Sequence, residues 1–368
     1  MVRGYEGRRW RHPVVVVGYG HFGQALTTIL TEAAVEVRVV DPHVEVPAPL
    51  HASGADTFVG ARHVFLCVPV WAFGEVLSEI RPRLGVDHVV VDVSSVRSGP
   101  EEAMRSLLGA DVPWVGTHPL FGPSSVALGE RPLRVVVTPN ELHEDAVSEV
   151  VALYEHLGCH VKLEAAEEHD RRMAYSHALA FFVAKGLMDM GAPTGDDFVP
   201  PSFRSFARTV ESVRSDAGHL FLSIQNLNPY SAEAREALLA GLTRLDDELK
   251  SVDPATLSET DVPALRIPDL GAAAPELHET RDHIDELDRE IVRAIARRAR
   301  LALRAGRIKR EHGGGVRDPG RERELLAERR AWALEEELDP EAVARVFEAL
   351  MALARGAQEE DRGESAPD

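Results

Sequence analysis

Val14-Val-Val-Val-Gly18-Tyr-Gly20-His-Phe-Gly23 decides how the N-terminal part of this chain folds. Four valines in a row predict a strand, and the G-x-G-x-x-G spacing predicts a tight turn into a helix over residues 24–33. A second strand-like run, residues 35–41, ends in Asp41. The glycine motif alone is weak, but strand, turn, helix, strand and acid in this order predict a dinucleotide-binding βαβ unit.

The same stretch indicates which cofactor binds. Gly18, Gly20 and Gly23 allow a tight turn and a close approach of the backbone to a pyrophosphate, which rests at the helix N-terminus. We count Phe22, inside the motif, among the cofactor-binding residues. Asp41 is expected to accept hydrogen bonds from the adenosine ribose hydroxyls, and its carboxylate repels a 2′-phosphate. We therefore predict NAD rather than NADP, and the alternative is a glycine-rich turn that binds no ligand.

Beyond this unit, the alternation of strands and helices continues. Apolar runs at residues 63–69 and 88–93 predict strands, and residues 71–84 between them predict a helix. Uninterrupted apolar strands separated by helices are typical of a parallel sheet that helices cover on both faces. The predicted fold class is therefore an α/β Rossmann-type domain, followed by all-α regions further along the chain.

Two polar features follow strands of this sheet, where ligands of such sheets bind. Ser95 lies in Asp92-Val-Ser-Ser95-Val-Arg97, and His118 leads the loop His118-Pro-Leu-Phe-Gly-Pro123, which a further strand over residues 133–138 follows. Both side chains are therefore expected to approach one bound molecule. The alternatives are that Ser95 is a helix N-cap and that His118 is a structural loop histidine.

The composition bounds the number of domains and the class of partner. The chain has 368 residues, 44% of them hydrophobic and 27% charged, which predicts two or three globular domains. A net charge of -19 argues against nucleic acid or an anionic membrane as a partner, and two cysteines indicate neither a disulfide framework nor a metal site. The sequence has neither a signal-peptide pattern nor a membrane-spanning apolar run, so we expect a cytoplasmic protein.

Periodicity and composition also predict the domain boundaries. The predicted parts are an N-terminal extension 1–12, a nucleotide-binding domain 13–165, a helical substrate and dimerisation domain 166–250, a linker 251–275, a second helical domain 276–358 and a disordered tail 359–368. In the first helical domain, Arg204, Arg208 and Arg214 form either a solvated face or, beside an anionic site, its clamp.

The second helical domain carries charges on a stripe that should face a core. In alternating steps of three and four residues, the stripe is apolar except for Arg281, Asp288, Arg298 and Lys309. One acid cannot pair with three cations, so an anionic ligand would complete the pairing; alternatively, the cations snorkel to water. The helix, residues 278–312, is about 50 Å long at ~1.5 Å per residue, and this length predicts a partner chain in an intertwined dimer.

Two more helices are predicted in this domain. Asp318-Pro319 and Asp339-Pro340 both indicate a helix start, with Asp as the N-cap and Pro at the first position. Gln358, on the last helix, is either a frayed surface residue or a hydrogen-bond donor into the bundle.

Residues 13 to about 250 resemble prephenate dehydrogenase. The resemblance rests on the glycine motif and on three blocks, Asp92-Val-Ser-Ser95-Val-Arg-Ser-Gly-Pro100, His118-Pro-Leu-Phe-Gly-Pro123 and Glu168-His-Asp-Arg-Arg-Met-Ala174. Residues 276–358 resemble the all-helical chorismate mutase. The active-site spacing of that family is matched by Arg281, Arg298, Lys309, Asp318, Arg321, Glu322 and Gln358. The order, with the dehydrogenase first, is unusual for a fusion of these two families.

The resemblances imply a bifunctional enzyme of tyrosine or related aromatic biosynthesis, which converts chorismate to prephenate and oxidises prephenate with NAD. For the dehydrogenase they imply His118 as catalytic base and Arg204 or Arg208 as the substrate clamp. Ser95 would either hydrogen-bond the same substrate hydroxyl or orient His118.

For the mutase, the resemblance implies three groups of contacts to the substrate. Its carboxylates would be held by Arg281, Arg298 and Arg321, its ether oxygen by Lys309 and Gln358, and its hydroxyl by Asp318 and Glu322. Arg281 would come from the partner subunit of a homodimer that forms through both helical regions.

Departures from the family patterns leave alternatives open. Ala354 and Ala180 stand where family members carry a serine and a second histidine, and another alignment places Ser212 at the clamp position. Arogenate and an amino-substituted (4-amino-4-deoxy) chorismate or prephenate are alternative substrates. A further alternative is that the C-terminal helices serve only for dimerisation.

Overall fold

A computed structural model of the chain describes residues 10, 12–52, 55–193, 199–200, 203, 206–207, 209–211, 213, 218–251, 276–311 and 319–363. The chain divides into two compact units, Met1–Val126 with Pro132–Glu259 and Ala127–Arg131 with Thr260–Asp368. We call the first the sheet unit and the second the helical unit. The finer domain boundaries stay predictions, and most of the predicted linker lies outside the described residues.

Seven strands form one sheet in the described part of the sheet unit. They are β1 Val14–Val17, β2 Val37–Val40, β3 His63–Leu66, β4 Val89–Asp92, β5 Trp114–Pro119, β6 Leu133–Val137 and β7 Cys159–Leu163. Their order is β2-β1-β3-β4-β5-β6-β7. All neighbours pair in parallel except β5 and β6, which are antiparallel. The predicted Rossmann-type fold class is confirmed.

The antiparallel pair departs from the predicted parallel sheet. Between β5 and β6 the chain forms only one five-residue helix, Pro123–Ala127. A parallel crossover is usually made by a helix long enough to return along the sheet, whereas a short connection lets the chain fold straight back. Strands β1 to β5 are therefore all parallel to one another, and their carboxyl ends lie on the same side of the sheet.

His118 also lies in a different element from the one predicted. It belongs to β5 and not to a loop, because residues 117–119 pair with Val135–Val137 of β6. The pairing places His118 opposite Val136. The loop of the predicted His-Pro-x-Phe-Gly-Pro block therefore begins only after Pro119.

Helices cover both faces of the sheet. They are α1 His21–Glu32, α2 Val70–Ile80, α3 Ser98–Leu107, α4 Pro123–Ala127 and α5 Glu144–His156, with short 3-10 turns at Ala55–Phe58 and Arg81–Arg83. Val14 and Val16 face one apolar cluster, with Leu26 and Leu153, and the alternate valines of β1 face a second cluster on the other side. Burial on both faces explains why the strand consists of valine alone.

A run of helices completes the sheet unit. Its elements with described bounds are α6 Ala166–Met173, a π-helical turn Ala174–Ala178, α7 Leu179–Asp189, α8 Gly218–Asn226 and α9 Ser231–Ser251. The predicted change to helix near residue 166 is observed. Arg204, Arg208 and Arg214 lie outside the described residues.

The helical unit contains α10 Glu276–Glu311, α11 Pro319–Glu335 and α12 Pro340–Gly363, and α12 packs against both α10 and α11. The long predicted helix is confirmed to within two residues at each end. Asp339 caps α12, because its Oδ1 accepts a 3.0 Å hydrogen bond from the N–H of Glu341. Asp318 lies outside the described residues. Within the described ranges, every helix is too short or too polar to cross a bilayer.

Candidate active sites

The glycine turn between β1 and α1 leaves room for a ligand at one of its three glycines. A Cβ on Gly18 would lie 2.4 Å from the carbonyl oxygen of Cys67, and one on Gly23 would lie 2.1 Å from that of Gly18. These two glycines are therefore needed for the close packing of the turn. A Cβ on Gly20, at the N-terminus of α1, would meet nothing within 4 Å. This open position next to a helix N-terminus fits a pyrophosphate.

Asp41, directly after β2, is hydrogen-bonded to the backbone of the glycine turn. Its Oδ2 accepts a 2.6 Å hydrogen bond from the N–H of Tyr19, and its Oδ1 accepts bonds of 2.7 and 2.9 Å from the N–H groups of His43 and Val44. Burial raises the pKa of Asp41, but the three hydrogen bonds outweigh burial, and the net pKa is below its usual value. A charged carboxylate beside the glycine turn fits a ribose with two free hydroxyls and repels a 2′-phosphate.

His118 lies in a buried chain of three polar side chains. Its Nδ1 is 2.8 Å from Nε2 of His169, and Nδ1 of His169 is 3.0 Å from Oδ1 of Asp170. His118 is 3% exposed, and the other two are fully buried. His169 and Asp170 belong to α6, so this helix brings a hydrogen-bonded His-Asp pair to a strand that ends some fifty residues earlier in the chain.

Asp170 is held in place from the start of α3. Its Oδ1 accepts a 2.8 Å hydrogen bond from the N–H of Arg97, and its Oδ2 accepts bonds of 2.9 and 2.6 Å from the N–H and hydroxyl of Ser98. Burial raises the pKa of Asp170, but the hydrogen bonds from His169, Ser98 and the backbone outweigh it and lower the pKa overall. Asp170 is thus a carboxylate at neutral pH, and both of its oxygens accept hydrogen bonds.

The environment keeps His118 uncharged. Burial lowers the pKa of His118 well below 6.5, and His169, His177, Arg97 and Arg172 lower it further. Burial also lowers the pKa of His169, although Asp170 opposes this shift. A neutral imidazole at the carboxyl end of a Rossmann-type sheet can act as a general base.

A third histidine faces His118. The ring of His177 stacks on that of His118, with 6.3 Å between the centroids and an interplanar angle of 18°. The rings of His177 and Phe181 are perpendicular, with 4.6 Å between their centroids. His177 lies in the π-helical turn, a geometry that is frequent at functional sites. Burial lowers the pKa of His177 to about 4, so this ring is also neutral. Sequence reasoning assigned no role to His169, Asp170 or His177.

Ser95 lies at the same edge of the sheet as His118. Asp92 pairs with Gly116 across β4 and β5, and the hydroxyl of Thr117 donates a 2.7 Å hydrogen bond to the carbonyl of Asp92. The segments that follow β4 and β5 therefore leave the sheet side by side, and Ser95, in the segment after β4, is half-buried. The alternative of Ser95 as an N-cap is wrong for α3, because that helix begins at Ser98 with Arg97 at the cap position.

A buried ion pair shapes the loop that carries Ser95. The guanidinium of Arg97 is fully buried and bonds the carboxylate of Asp92, whose Oδ1 also accepts a 2.9 Å bond from the N–H of Ser94. Arg97 Nη2 donates a further 2.8 Å bond to the carbonyl of Ser94. The loop between β4 and α3 is thus bonded on its inner side, which restrains the position of the neighbouring serine.

In the helical unit, Gln358 reaches from α12 to α10. Its Nε2 donates a 2.6 Å hydrogen bond to the carbonyl of Ala302. Of the two predicted alternatives, the structure therefore shows the hydrogen-bond donor into the bundle and not the frayed surface residue. A Cβ on Gly306 would lie 2.9 Å from that nitrogen. Gly306 therefore leaves the space in which the amide of Gln358 lies, and Lys309 follows three residues later on the same face of α10.

The other mutase candidates have contacts within their own chain or lie toward solvent. Arg298 donates a 3.2 Å bond to the carbonyl of Leu350, and burial, followed by Arg329, lowers the pKa of Arg298. Glu322 accepts a 2.9 Å bond from Arg355 of α12. The side chains of Lys309 and Arg321 are exposed. The side chain of Arg281 lies outside the described residues.

Two family models match the chain. Residues 29–163 match the prephenate dehydrogenase nucleotide-binding domain, and residues 280–359 match chorismate mutase type II. The chain therefore contains both domains in the order predicted, and the resemblance stated for each part is confirmed.

Curated relatives match the dehydrogenase part. The 4-amino-4-deoxyprephenate dehydrogenase of Streptomyces pristinaespiralis is 29% identical over 235 residues, which cover 61% of this chain and 76% of that protein. The T-protein of Enterobacter agglomerans is 30% identical over 172 residues, 46% of this chain and 43% of the T-protein. The chain therefore spans less than half the length of this second relative.

Solved structures support the fold of the same part. Prephenate dehydrogenase from Aquifex aeolicus, in complex with hydroxyphenyl propionate and NAD+, has a TM-score of 0.53 and 20% identity and covers 74% of this chain and 98% of its own. Synechocystis arogenate dehydrogenase has a TM-score of 0.51 and 20% identity and covers 75% and 99%. At these identities the likeness shows the fold alone.

Proposed function

We propose that the chain is a bifunctional enzyme that rearranges chorismate to prephenate and then oxidatively decarboxylates prephenate to 4-hydroxyphenylpyruvate with NAD. The observation that carries the dehydrogenase half is the neutral, buried His118 at the carboxyl edge of a sheet whose glycine turn and Asp41 fit NAD. The matches to both family models support the two halves together.

The dehydrogenase step needs a base at the substrate hydroxyl. His118 accepts the hydroxyl proton while the ring carbon that bears the hydroxyl becomes a carbonyl. Bound NAD supplies the hydride acceptor for this carbon. The bond between the ring and its carboxylate then breaks, CO2 leaves, and the electron pair of that bond makes the ring aromatic. The former carbonyl oxygen becomes a phenolate and takes a proton back from His118 to give the phenol. Ser95 hydrogen-bonds the same hydroxyl or orients His118, and Arg204 or Arg208 binds a substrate carboxylate.

The mutase step needs neither a nucleophile nor a proton transfer. The rearrangement is accelerated by residues that hold the reactive conformer and place positive charge where the breaking ether oxygen becomes negative. Lys309 supplies this charge, and Gln358 donates a hydrogen bond to the same oxygen. Arg281, Arg298 and Arg321 bind carboxylates, and Asp318 and Glu322 bind the hydroxyl.

A homodimer completes the helical unit in this proposal. Ile284, Leu287 and Ile291 of α10 are 51%, 57% and 54% exposed, which is unusual for large apolar side chains at helical spacing. Leu242 and Leu249 of α9 are exposed to a similar extent, at 52% and 54%. A second copy on these helices would cover them, and Arg281 of that copy would enter the mutase site.

The direct experiment measures NADH formation by the full-length protein. NAD is supplied with chorismate alone and, separately, with prephenate alone. NADH from both substrates supports two working sites. NADH from prephenate only, without consumption of chorismate, makes the C-terminal helices a dimerisation module. If neither substrate yields NADH but arogenate or 4-amino-4-deoxyprephenate does, the chemistry is retained on an amine-bearing substrate.

Gly20 tests the cofactor site separately from turnover. In Gly20→Ala the new methyl meets no protein atom within 4 Å, so the fold is retained, but it occupies the space assigned to the pyrophosphate. We expect the Kd for NAD to rise about tenfold or more. Gly74→Ala in α2 is the matched control, because its Cβ is equally open, and its Kd should not change. Equal affinities of the two variants would contradict the assigned position of NAD.

A further inference from the structure

We propose that His169 and Asp170 are positioning residues that hold His118 in the one tautomer that can act as a base. The proposal rests on the proposed dehydrogenase function and deepens it. The three side chains form one buried chain of hydrogen bonds from α6 to β5. Its direction, donor to acceptor, follows from the groups around Asp170.

Asp170 is the acceptor at the inner end of the chain. The N–H of Arg97 and the N–H and hydroxyl of Ser98 all donate to its two oxygens, at 2.8, 2.9 and 2.6 Å. Backbone N–H groups can only donate, so the carboxylate is in its acceptor form. Nδ1 of His169, 3.0 Å from Oδ1, must therefore carry a proton.

This proton sets the state of the next ring. A neutral imidazole carries one N–H, so Nε2 of His169 is a bare acceptor. Nδ1 of His118 lies 2.8 Å from it and must donate. His118 therefore has its proton on Nδ1, and its Nε2 keeps a free lone pair. Nε2–H is the usual tautomer of a free histidine, so the chain selects the less common form.

The selected tautomer is the one the reaction requires. Nε2 of His118 takes the substrate hydroxyl proton, while Nδ1 keeps its hydrogen bond to His169. The resulting imidazolium is stabilised by the carboxylate of Asp170 through the intervening ring. In the other tautomer, Nε2 would already carry a proton and would not accept one.

A purely structural role for Asp170 is the competing explanation, because Asp170 also anchors the start of α3. Kinetic measurements on three variants of the full-length protein separate the two roles. Asp170→Asn removes the all-acceptor carboxylate, His169→Phe keeps a ring of similar size without hydrogen bonds, and Glu168→Gln is the control. Glu168 is exposed, lies in the same helix and also loses one negative charge.

We expect Asp170→Asn and His169→Phe to lower kcat for NADH formation on the order of 10²-fold, with KM for prephenate and Kd for NAD changed less than about threefold. In Asp170→Asn the acid limb of kcat/KM should move to lower pH, because the charge that favours the imidazolium is gone. Glu168→Gln should stay within about twofold. Loss of NAD binding in parallel with kcat, or an unmoved acid limb, would assign Asp170 to the fold alone.

Nitrogen NMR of the wild-type protein tests the tautomer without any turnover. In protein labelled with ¹⁵N in the histidine rings, the resonances that vanish in His118→Asn and His169→Phe identify the two residues. We expect both rings to be Nδ1–H tautomers at pH 7.5. An Nε2–H tautomer for His118 would overturn the proposal.

The outcomes also separate this proposal from the proposed function. If the wild-type protein forms no NADH from any substrate tested, the function fails while the NMR result still decides the tautomer. If His118→Asn stops turnover but the Asp170 and His169 variants keep it, the function stands and the positioning role is refuted.

Discussion

The candidate sites of the two units differ in how their polar groups are held. In the sheet unit, His118, His169 and Asp170 are between 0% and 3% exposed and bond one another. In the helical unit, Lys309 and Arg321 are exposed. A base must present one lone pair in one direction, and a fixed hydrogen-bond chain provides that. A site that works by positive charge can keep its long cations in water until an anionic ligand pairs with them.

Desolvation explains why the difference has this direction. Neutral histidines are buried without leaving an uncompensated charge, and burial keeps His118 and His177 neutral. A buried cation is costly unless it is paired. Arg298 shows the effect in the helical unit, because burial lowers its pKa even though it is only half-buried. Each site has the degree of burial that the charge of its groups permits.

Replacing His118 should produce the largest difference between the activities of the two units. In His118→Asn the lone pair proposed to accept the hydroxyl proton is lost, and we expect NADH formation from prephenate to fall by about 10³- to 10⁴-fold. Consumption of chorismate by the same protein should be unchanged, which makes it an internal control for folding. Steady-state rates with each substrate measure both. Comparable loss of both activities in a variant that is still folded would show that the two sites are not separate.

Lys309→Ala is the reciprocal change in the helical unit. Removing the cation that we propose to face the ether oxygen should lower the rate of chorismate consumption by about 10²- to 10³-fold and leave NADH formation from prephenate intact. Arg293→Ala is the matched control, because Arg293 is an exposed cation on the same helix outside the proposed site. If both variants lose the same activity, net charge and not the position of Lys309 is responsible.

Local patterns of the sequence were sufficient for much of the fold. The valines of β1, the glycine turn and Asp41 lie within thirty residues and specify their unit by short-range geometry. The length of α10 could be predicted because one apolar period continues along the helix until the glycines at residues 313–315 interrupt it. The role of His118 as a base stays a prediction, although its burial and neutral state agree with it.

The orienting pair could not be predicted, because it lies 51 residues from His118 in the chain. Glu168-His-Asp looks locally like the polar first turns of a helix. The signal that was present is the adjacent His-Asp pair, since a histidine beside a carboxylate often orients another group. The antiparallel return of β6 was missed for a related reason: it depends on the short α4, which has no clear periodic pattern.

Acid should destabilise the sheet unit through its buried histidines. His63 is 1% exposed, and burial lowers its pKa to about 4, with Arg62 and His12 adding to this shift and Glu149 opposing it. Below the unfolded pKa of about 6.5 the unfolded chain gains a proton that the folded one does not bind. His63 should therefore reduce the free energy of unfolding by about 2 kcal/mol between pH 7 and pH 5.

Unfolding measured at pH 7 and pH 5 tests this contribution. His63→Leu should lose less stability on acidification than the wild-type protein, and His51→Leu, at an exposed position, should behave like wild type. Equal acid sensitivity of His63→Leu and wild type would place the titrating group elsewhere.

Gly306→Ala gives the smallest expected effect and the finest test of how the helical site is held. A methyl at Gly306 would lie 2.9 Å from Nε2 and 3.1 Å from Cδ of Gln358, so the end of that flexible side chain must move. The helix itself gains, because alanine stabilises a helix interior by roughly 0.5–1 kcal/mol over glycine. Calorimetry should therefore find α10 at least as stable, while chorismate consumption falls about threefold to tenfold.

Gly356→Ala on α12, where a Cβ meets nothing within 4 Å, should gain stability without this loss. If Gly306→Ala kept full activity, Gln358 would be a packing residue, and the helical site would depend on its exposed cations alone.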